Sequence, residues 1–137
     1  MPNHPINIPN TTRLFLIIAS LLGATGVALG AYASHGLSSW ASIEQIGYFQ
    51  LAVTYQLFHA IALLAVCILS FFISSYFLIA SKIAFVLGVV LFSGSLYLYV
   101  LTGTKILGAI TPIGGLLLII AWCLVAFSLS TYKNNKG

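Results

Sequence analysis

Four long apolar runs, each of about 20 residues or more and almost free of charged side chains, decide what this chain can fold into. The runs cover residues 12–34, 49–73, 77–102 and 112–132. A hydrocarbon layer about 30 Å thick is crossed by roughly 20 apolar residues in an α-helix. The pattern therefore predicts an all-α integral membrane protein, a bundle of four transmembrane helices.

Charged residues are too few to cover a surface in water. Asp, Glu, Lys and Arg make up 4% of the 137 residues, whereas about 25% is typical of soluble domains. Because apolar residues reach 61%, we expect the lipid bilayer to be the main partner of the exterior. The few basic residues are scattered rather than clustered on one face, which argues against binding of nucleic acid.

The chain is interpreted as one transmembrane domain, residues 12–132, between two short tails. Residues 1–11, with three of the four prolines, are predicted to form a disordered N-terminal tail. Residues 133–137 form the C-terminal tail, which is expected in the cytoplasm.

The orientation follows from Lys and Arg, which accumulate in the cytoplasmic flanks of membrane spans. With four spans, both termini and the second-to-third connection share one side of the membrane. That side carries Arg13, Lys82, Lys133 and Lys136, and the other side carries Lys105. Both termini are therefore expected inside, in a multi-pass protein of the inner or plasma membrane. Lys82 lies several residues into its span and is expected to reach the interface through its long stem.

A cleaved signal peptide is the alternative interpretation of the first run. Arg13 and the triplet Ala31-Tyr32-Ala33 imitate its charged start and its small-residue cleavage site. Only three spans would then remain. The run is longer than the apolar region of a signal peptide and is interrupted by Gly23, Gly26 and Gly30, so four spans are favoured.

Local signals mark two helix starts. Ser42 and Gln45 have the spacing of a capping box, and Glu44 in the same turn complements the helix dipole. The second helix is therefore expected to begin before its apolar run. Thr111 followed by Pro112 predicts that the fourth helix starts at the proline, which suits the first helical position.

Small residues predict where helices approach closely, because apolar side chains do not drive association in lipid. On the first helix, Gly26 and Gly30 have GxxxG spacing. The candidate packing residues are Gly23, Gly26, Gly30 and Ala33 on the first helix, Gly88 and Gly94 on the third, and Gly114 and Gly115 on the fourth. The face on the first helix can pack inside the chain or against a second copy, and both interpretations stay open.

His59 is the main candidate for a functional residue in the membrane, since ionisable groups at that depth are costly. It lies roughly 15 Å of helix rise into its span, and Tyr55 and Gln56, one turn earlier, are expected on the same side. The candidate site also includes Ser93, Ser95 and Tyr97 of the third helix. Such a site would relay a proton, ligate haem or hold a polar head group. The structural alternative is a hydrogen-bonded histidine that only joins helices.

Four further polar residues are expected near the outer ends of the spans: Ser34, His35, Glu44 and Thr111. His35 and His59 differ by roughly 15 Å along the helix direction, so paired haem ligation by these two imidazoles is not expected. The sequence predicts no metal site and no cofactor.

The inventory of catalytic groups is sparse. The chain has no Asp and a single Glu, Glu44, which excludes carboxylate pairs and a Ser-His-Asp triad within one chain. A dyad of His59 with Ser93 or Ser95 is the remaining enzymatic alternative, a membrane-embedded hydrolase. Nothing marks either serine as activated, so we expect a protein that is not an enzyme.

Each span carries one distinctive segment: residues 30–35 (GAYASH), 55–59 (YQLFH), 91–97 (LFSGSLY) and 111–115 (TPIGG), the last followed by Trp122. Together these segments resemble the YgdD/YwdK type of small uncharacterised inner-membrane proteins. The resemblance covers nearly the whole chain after its first ten residues and implies a four-helix membrane protein without an established activity. The chain differs between its second and third spans, where Ser74 and Ser75 replace the basic residues that similar proteins often carry.

Two functional hypotheses are consistent with these patterns. The first is a non-enzymatic helical bundle that works by interaction, as a homo-oligomer or as an accessory subunit of a membrane complex. The second is a small carrier or a ligand-binding protein, linked to protons, haem or quinone, with its site around His59. Trp122, about 15 Å deep in the fourth helix, is expected to pack between helices in either case.

Overall fold

The computed structural model describes residues 7–132, which form four long α-helices. They are α1 (Asn10–His35), α2 (Ile43–Leu69), α3 (Tyr76–Thr102) and α4 (Leu107–Thr131), with a 3-10 turn at Leu37–Ser39 between α1 and α2. All four are long and apolar enough to cross a membrane. This confirms the predicted all-α, four-helix membrane architecture.

Consecutive helices pack antiparallel, in the order of the chain. The contacts that show this are Gly26 with Leu57 between α1 and α2, Ser93 with Ala52 between α2 and α3, and Gly114 with Phe92 between α3 and α4. The start of α1, the α2–α3 connection and the end of α4 therefore share one side, here called the terminal side. The α1–α2 and α3–α4 connections share the other, here called the loop side. The basic residues predict that the terminal side faces the cytoplasm.

The two middle helices form the core of the bundle. In α2 and α3, 44% of the most apolar stretch is buried, against 17% in α1 and in α4. The core has a terminal-side part around Leu63 and Phe85 and a loop-side part around Phe49 and Val100. The outer helices therefore present much of their apolar surface to the surroundings, as expected for contact with lipid tails.

The start of α2 agrees with its capping signal. The Gln45 backbone N–H donates to the Ser42 hydroxyl at 3.2 Å, and the Ser42 backbone N–H donates to the Gln45 side-chain oxygen at 2.9 Å. The helix ends at Leu69, four residues before the predicted end of the run. The chain must reverse there, and Ser75 caps the next helix by accepting the Phe77 N–H at 3.2 Å.

The transmembrane domain begins two residues earlier than predicted. Helix α1 begins at Asn10, so residues 10 and 11 belong to the helix rather than to the predicted tail. Residues 1–6 of that tail, and the predicted C-terminal tail at 133–137, lie outside the described residues.

The predicted start of α4 at Pro112 is wrong. The helix begins five residues earlier, at Leu107, and Pro112 lies inside it. The first turn forms short i to i−3 bonds, such as Leu107 N–H to the Thr104 carbonyl at 3.2 Å, so the helix is already established before the proline. Thr111 is not a cap, because its hydroxyl lies 3.2 Å from the Leu107 carbonyl and 2.7 Å from the Ser95 hydroxyl.

The small-residue face of α1 is covered by α2 of the same chain. A Cβ atom added at Gly26 would lie 2.6 Å from Leu57, and one at Gly30 would lie 3.3 Å from Val53. Ala33 is buried in the loop-side core. The GxxxG pair and Ala33 therefore pack inside the chain.

The glycines of α3 and α4 differ in how closely the neighbouring helix approaches them. A Cβ at Gly88 would lie 2.6 Å from Leu118, and one at Gly114 would collide with the backbone of Phe92, so both allow a close approach of α3 and α4. A Cβ at Gly115 would lie 3.6 Å from the Phe92 ring, an ordinary contact.

Two of the predicted packing glycines do not lie at helix contacts. At Gly23 and Gly94, a Cβ would meet no atom of another described helix within 4 Å. Helical periodicity places each glycine on one face of its helix but does not reveal which part of that face a neighbouring helix covers.

Candidate functional site

Gln56 is the centre of a closed polar network that joins three helices. Its side chain is 4% exposed. The amide nitrogen donates to the Leu22 carbonyl at 2.8 Å and to the Thr25 hydroxyl at 2.9 Å, both on α1. The amide oxygen accepts the Tyr97 hydroxyl of α3 at 2.8 Å. We call Gln56, Thr25 and Tyr97 the Gln56 network, whose bonds use both amide donors and the amide oxygen.

His59, one turn further along α2, points to a different neighbour. Its Nδ1 lies 2.8 Å from the Tyr55 backbone carbonyl, and the Trp122 indole N–H of α4 donates to its Nε2 at 3.3 Å. A carbonyl only accepts and an indole N–H only donates. The hydrogen bonds therefore assign the proton to Nδ1 and leave Nε2 as the acceptor of a neutral ring. We call these two residues the His59–Trp122 pair.

The expected cluster of Tyr55, Gln56 and His59 is thus divided. Gln56 faces α1 and α3, while His59 faces α4. The Tyr55 ring stacks on Phe92 with centroids 4.3 Å apart. Tyr97 bonds to Gln56 and not to His59, so the residues expected in one polar site belong to two separate groups.

The serines of α3 have other partners than His59. Ser93 donates to the Ala52 carbonyl at 2.7 Å, which links α3 to α2. Ser95 contacts the Phe92 carbonyl at 3.0 Å and the Thr111 hydroxyl at 2.7 Å. The structure therefore does not assemble the Ser-His dyad that the sequence allowed.

The outer polar residues do not form one site. Ser34 donates back to the Gly30 carbonyl of its own helix at 3.1 Å, and Glu44 accepts the Tyr48 hydroxyl at 3.0 Å. His35 is exposed in the last turn of α1. Within the described residues, no group of three or more His, Cys, Asp or Glu side chains is arranged to hold a metal ion.

An open groove lies beside the His59–Trp122 pair. Its walls come from α2 and α4, and Phe92 of α3 forms its floor. Its volume is about 710 Å³. The side chains that define it are Tyr55, Phe58, His59, Phe92, Ile119 and Trp122. A second cavity of about 520 Å³ shares Phe92 and Pro112 with the first and continues to Tyr48, Tyr99 and Lys105 on the loop side. We call the two together the lateral groove.

The lateral groove changes character along its length. Its deep part is lined by large apolar side chains that remain exposed, including Phe58 at 60% and Ile119 at 61%. The polar atoms of His59 and Trp122 are already hydrogen-bonded to each other. Its loop-side end carries the exposed ammonium of Lys105 and two tyrosines. The groove is therefore apolar in the membrane and polar at its outer end.

Comparison with known proteins gives the family. A family model described as "Protein of unknown function (DUF423)" matches residues 29–115. The chain belongs to the DUF423 family. Its matched segment contains α2 and α3 entirely, together with the first turns of α4, and so includes most of the side chains that line the lateral groove.

Relatives of the DUF423 chain are similar along almost their whole length. The UPF0382 membrane protein SAB0533 of Staphylococcus aureus is 40% identical over 121 residues, which cover 88% of this chain and 97% of the relative. The UPF0382 inner membrane protein YgdD of Escherichia coli K12 is 36% identical over 127 residues, covering 93% and 96%. No solved structure matches. These relatives confirm the resemblance seen in the sequence and the placement in the inner or plasma membrane as a multi-pass protein.

Sequence reasoning misses two partners in this DUF423 chain. Thr25 is not recognisable as a partner of Gln56, because a threonine on an apolar helix normally bonds to its own backbone, as Thr25 also does at 2.7 Å to Leu21. Trp122 is expected between helices, but neither its bond to His59 nor its 43% exposure to the lateral groove is evident from the sequence. Its indole N–H at membrane depth is the available signal, since such a donor needs an acceptor.

Proposed function

We propose that this chain is a non-enzymatic binding protein that holds a lipid-like amphiphile in the lateral groove. The observation that carries the proposal is an open groove of about 710 Å³ beside the only histidine of α2. Ligand pockets typically measure about 300–1,000 Å³ and are mostly apolar with a few polar groups. Each of the two cavities of the lateral groove, at about 710 and 520 Å³, has that size, and the groove has that composition.

The gradient of polarity along the groove supports an amphiphile as the occupant. An apolar chain or ring system would lie against Phe58, Phe92 and Trp122, at the depth of the lipid tails. A polar or anionic head group would lie at the loop side, near Lys105. Aromatic side chains offer large rigid surfaces for such contacts.

The hydrogen bonds of His59 support a binding role rather than a catalytic one. Both ring nitrogens of His59 are engaged by Tyr55 and Trp122. A proton relay or a general base would need one nitrogen free. The hydrogen bonds instead support His59 as a residue that fixes the Trp122 indole in the wall of the groove.

A transmembrane helix of a partner protein, or of a second copy, is the competing occupant. Helices associate in lipid through small residues and through hydrogen bonds between helices. The GxxxG face of α1 is occupied by α2, and the polar atoms of the His59–Trp122 pair are satisfied. The features that usually hold a partner helix are therefore used inside the chain, which favours the amphiphile.

Two matched substitutions test the proposal. Gly115→Leu places a side chain in the lateral groove without displacing the backbone, because a Cβ there makes only an ordinary contact with Phe92. Gly94→Leu adds the same side chain where a Cβ meets no neighbour. Each protein is purified from membranes in mild detergent, and bound small molecules are identified and counted by mass spectrometry.

We expect the parent and Gly94→Leu to carry one class of amphiphile and Gly115→Leu to retain much less of it. Equal amounts in all three proteins, or none in the parent, would contradict the proposal. Co-purification of a second protein chain that is lost only in Gly115→Leu would support the partner helix instead.

A further inference from the structure

Lys82 is a buried cation on the terminal side of the bundle. Its side chain is 2% exposed, so its ammonium is enclosed by the protein. Nζ donates to the Ser70 hydroxyl at 3.1 Å and lies 5.4 Å from the centre of the Phe15 ring. An ammonium has three N–H donors, and a single hydroxyl satisfies one of them.

No anion within the described residues balances this charge. The chain contains a single Asp or Glu, which is Glu44. Glu44 lies at the start of α2, whereas Ser70 follows the end of that helix, so about 39 Å of helix rise separates them. A buried charge without a counter-charge costs several kcal/mol even after relaxation of its surroundings.

A small cavity is lined by Lys82 and by its hydrogen-bond partner Ser70. Its volume is about 190 Å³. The polar side chains that line it are Thr11, Thr12, Ser70, Ser74, Ser75 and Lys82. An apolar cavity of about 150 Å³ is known to hold benzene, so there is room here for one phosphate group.

Thr12 is a second buried polar residue at this cavity. It is 5% exposed and lines the cavity, and its hydroxyl has no hydrogen-bond partner among residues 7–132. The first turn of α1 begins after Pro9 without a side-chain cap, so its N–H groups add partial positive charge at the same place. The cavity thus combines a buried cation, several hydroxyl side chains and a helix N-terminus.

We infer that this cavity is a binding site for a phosphate-type anion, held by Lys82 and the surrounding hydroxyls. The anion supplies the missing counter-charge and the acceptors for the remaining ammonium protons. Two sources have this chemistry: the phosphodiester of an anionic phospholipid at the terminal-side interface, and a free phosphate ion from the aqueous phase. The site lies at the opposite end of the bundle from the polar end of the lateral groove and is independent of it.

The test compares the full-length parent with Lys82→Met and with a matched control, Arg13→Met. Methionine keeps a long apolar stem, and removal of a buried unpaired charge is neutral or stabilising for the fold. Arg13 is an exposed cation beside Thr12 in the first turn of α1, and it does not line the cavity. Thermal unfolding is followed in neutral detergent with increasing inorganic phosphate, and in nanodiscs of phosphatidylcholine with or without phosphatidylglycerol.

We expect at least one of the two probes to raise the midpoint of unfolding of the parent and of Arg13→Met in a saturable way. In Lys82→Met the apparent Kd for the same probe should be about 10- to 100-fold higher, as expected for loss of a charge-assisted hydrogen bond. Thr12→Val, which removes only a hydroxyl, should weaken binding by a smaller factor. A response to phosphate identifies a free ion, and a response to phosphatidylglycerol alone identifies a lipid head group.

Two results would overturn the inference. One is the absence of any midpoint shift in the parent with either probe. The other is an equal shift in the parent and in Lys82→Met. If Lys82→Met fails to fold, Thr12→Val decides instead, and an unchanged apparent Kd in that variant would overturn the inference.

Discussion

Gln56 and His59 lie three residues apart on α2, yet the Gln56 network is enclosed by helices while the His59–Trp122 pair borders an open groove. Gln56 reaches two neighbouring helices and is enclosed by them. His59 reaches across to α4, where Trp122 remains 43% exposed in the wall of the lateral groove. A polar side chain at membrane depth is therefore not a functional marker by itself. What distinguishes the two is whether the space beside the hydrogen bonds is filled or open.

The largest effect is expected from Gln56→Ala. It removes three hydrogen bonds between helices, leaves the Tyr97 hydroxyl without its acceptor and creates a cavity. We expect a loss of about 2–4 kcal/mol in the free energy of unfolding, measured by denaturation in mixed micelles. Gln50→Ala is the control, since Gln50 is an exposed glutamine of the same helix. Similar losses for both variants would remove the distinction between a closed network and an ordinary polar surface.

A second contrast lies on α4, between two adjacent glycines. In Gly114→Ala the new methyl group would collide with the Phe92 backbone, so α3 and α4 must separate. Overpacking of this kind costs about 1–3 kcal/mol. Gly115→Ala should be within about 0.5 kcal/mol of the parent or slightly more stable, because alanine favours a helix over glycine. The same unfolding measurement checks both, and equal destabilisation would show that the groove side of α4 is not open.

The weakest of these stabilising contacts is expected to be the His59–Trp122 pair. A double-mutant cycle with His59→Phe and Trp122→Phe should give a coupling energy of about 0.6 kcal/mol, the average for hydrogen bonds between transmembrane helices. The single substitutions keep the aromatic surface of the lateral groove. A coupling energy as large as the whole effect of Gln56→Ala would contradict the view that the Gln56 network, and not this pair, stabilises the bundle.

The number and direction of the helices are predictable because the bilayer imposes them. A span needs a fixed length of apolar residues, and the antiparallel arrangement follows from short connections. The capping box at Ser42 and Gln45 is also predictable, since it depends on residues three apart in the sequence. The start of α4 is not, because Thr111 bonds to Ser95 on another helix, and that contact outweighs the local cap signal.

The composition of the candidate site is only partly predictable, because it too depends on contacts between helices. The position of His59 within α2 identifies it as a residue at membrane depth. Its separation from Gln56 depends on which helix covers each side of α2, and periodicity along one helix does not contain that information. Gly26 and Gly23 illustrate the point: both are expected at a contact, and only Gly26 faces Leu57.

The central claim is that the lateral groove is open to the membrane interior at Trp122. The direct measurement is the fluorescence of Trp122 in Trp40→Phe, reconstituted in bilayers of phosphatidylcholine that carries bromine atoms in mid-chain. Bromine quenches tryptophan on contact, so Trp122 should be strongly quenched, whereas Trp40 in the complementary Trp122→Phe variant, on the loop-side connection, should not. In protein freed of co-purified amphiphile, emission from Trp122 that is unaffected by brominated lipid would show that α2 and α4 close over it, and would contradict the account.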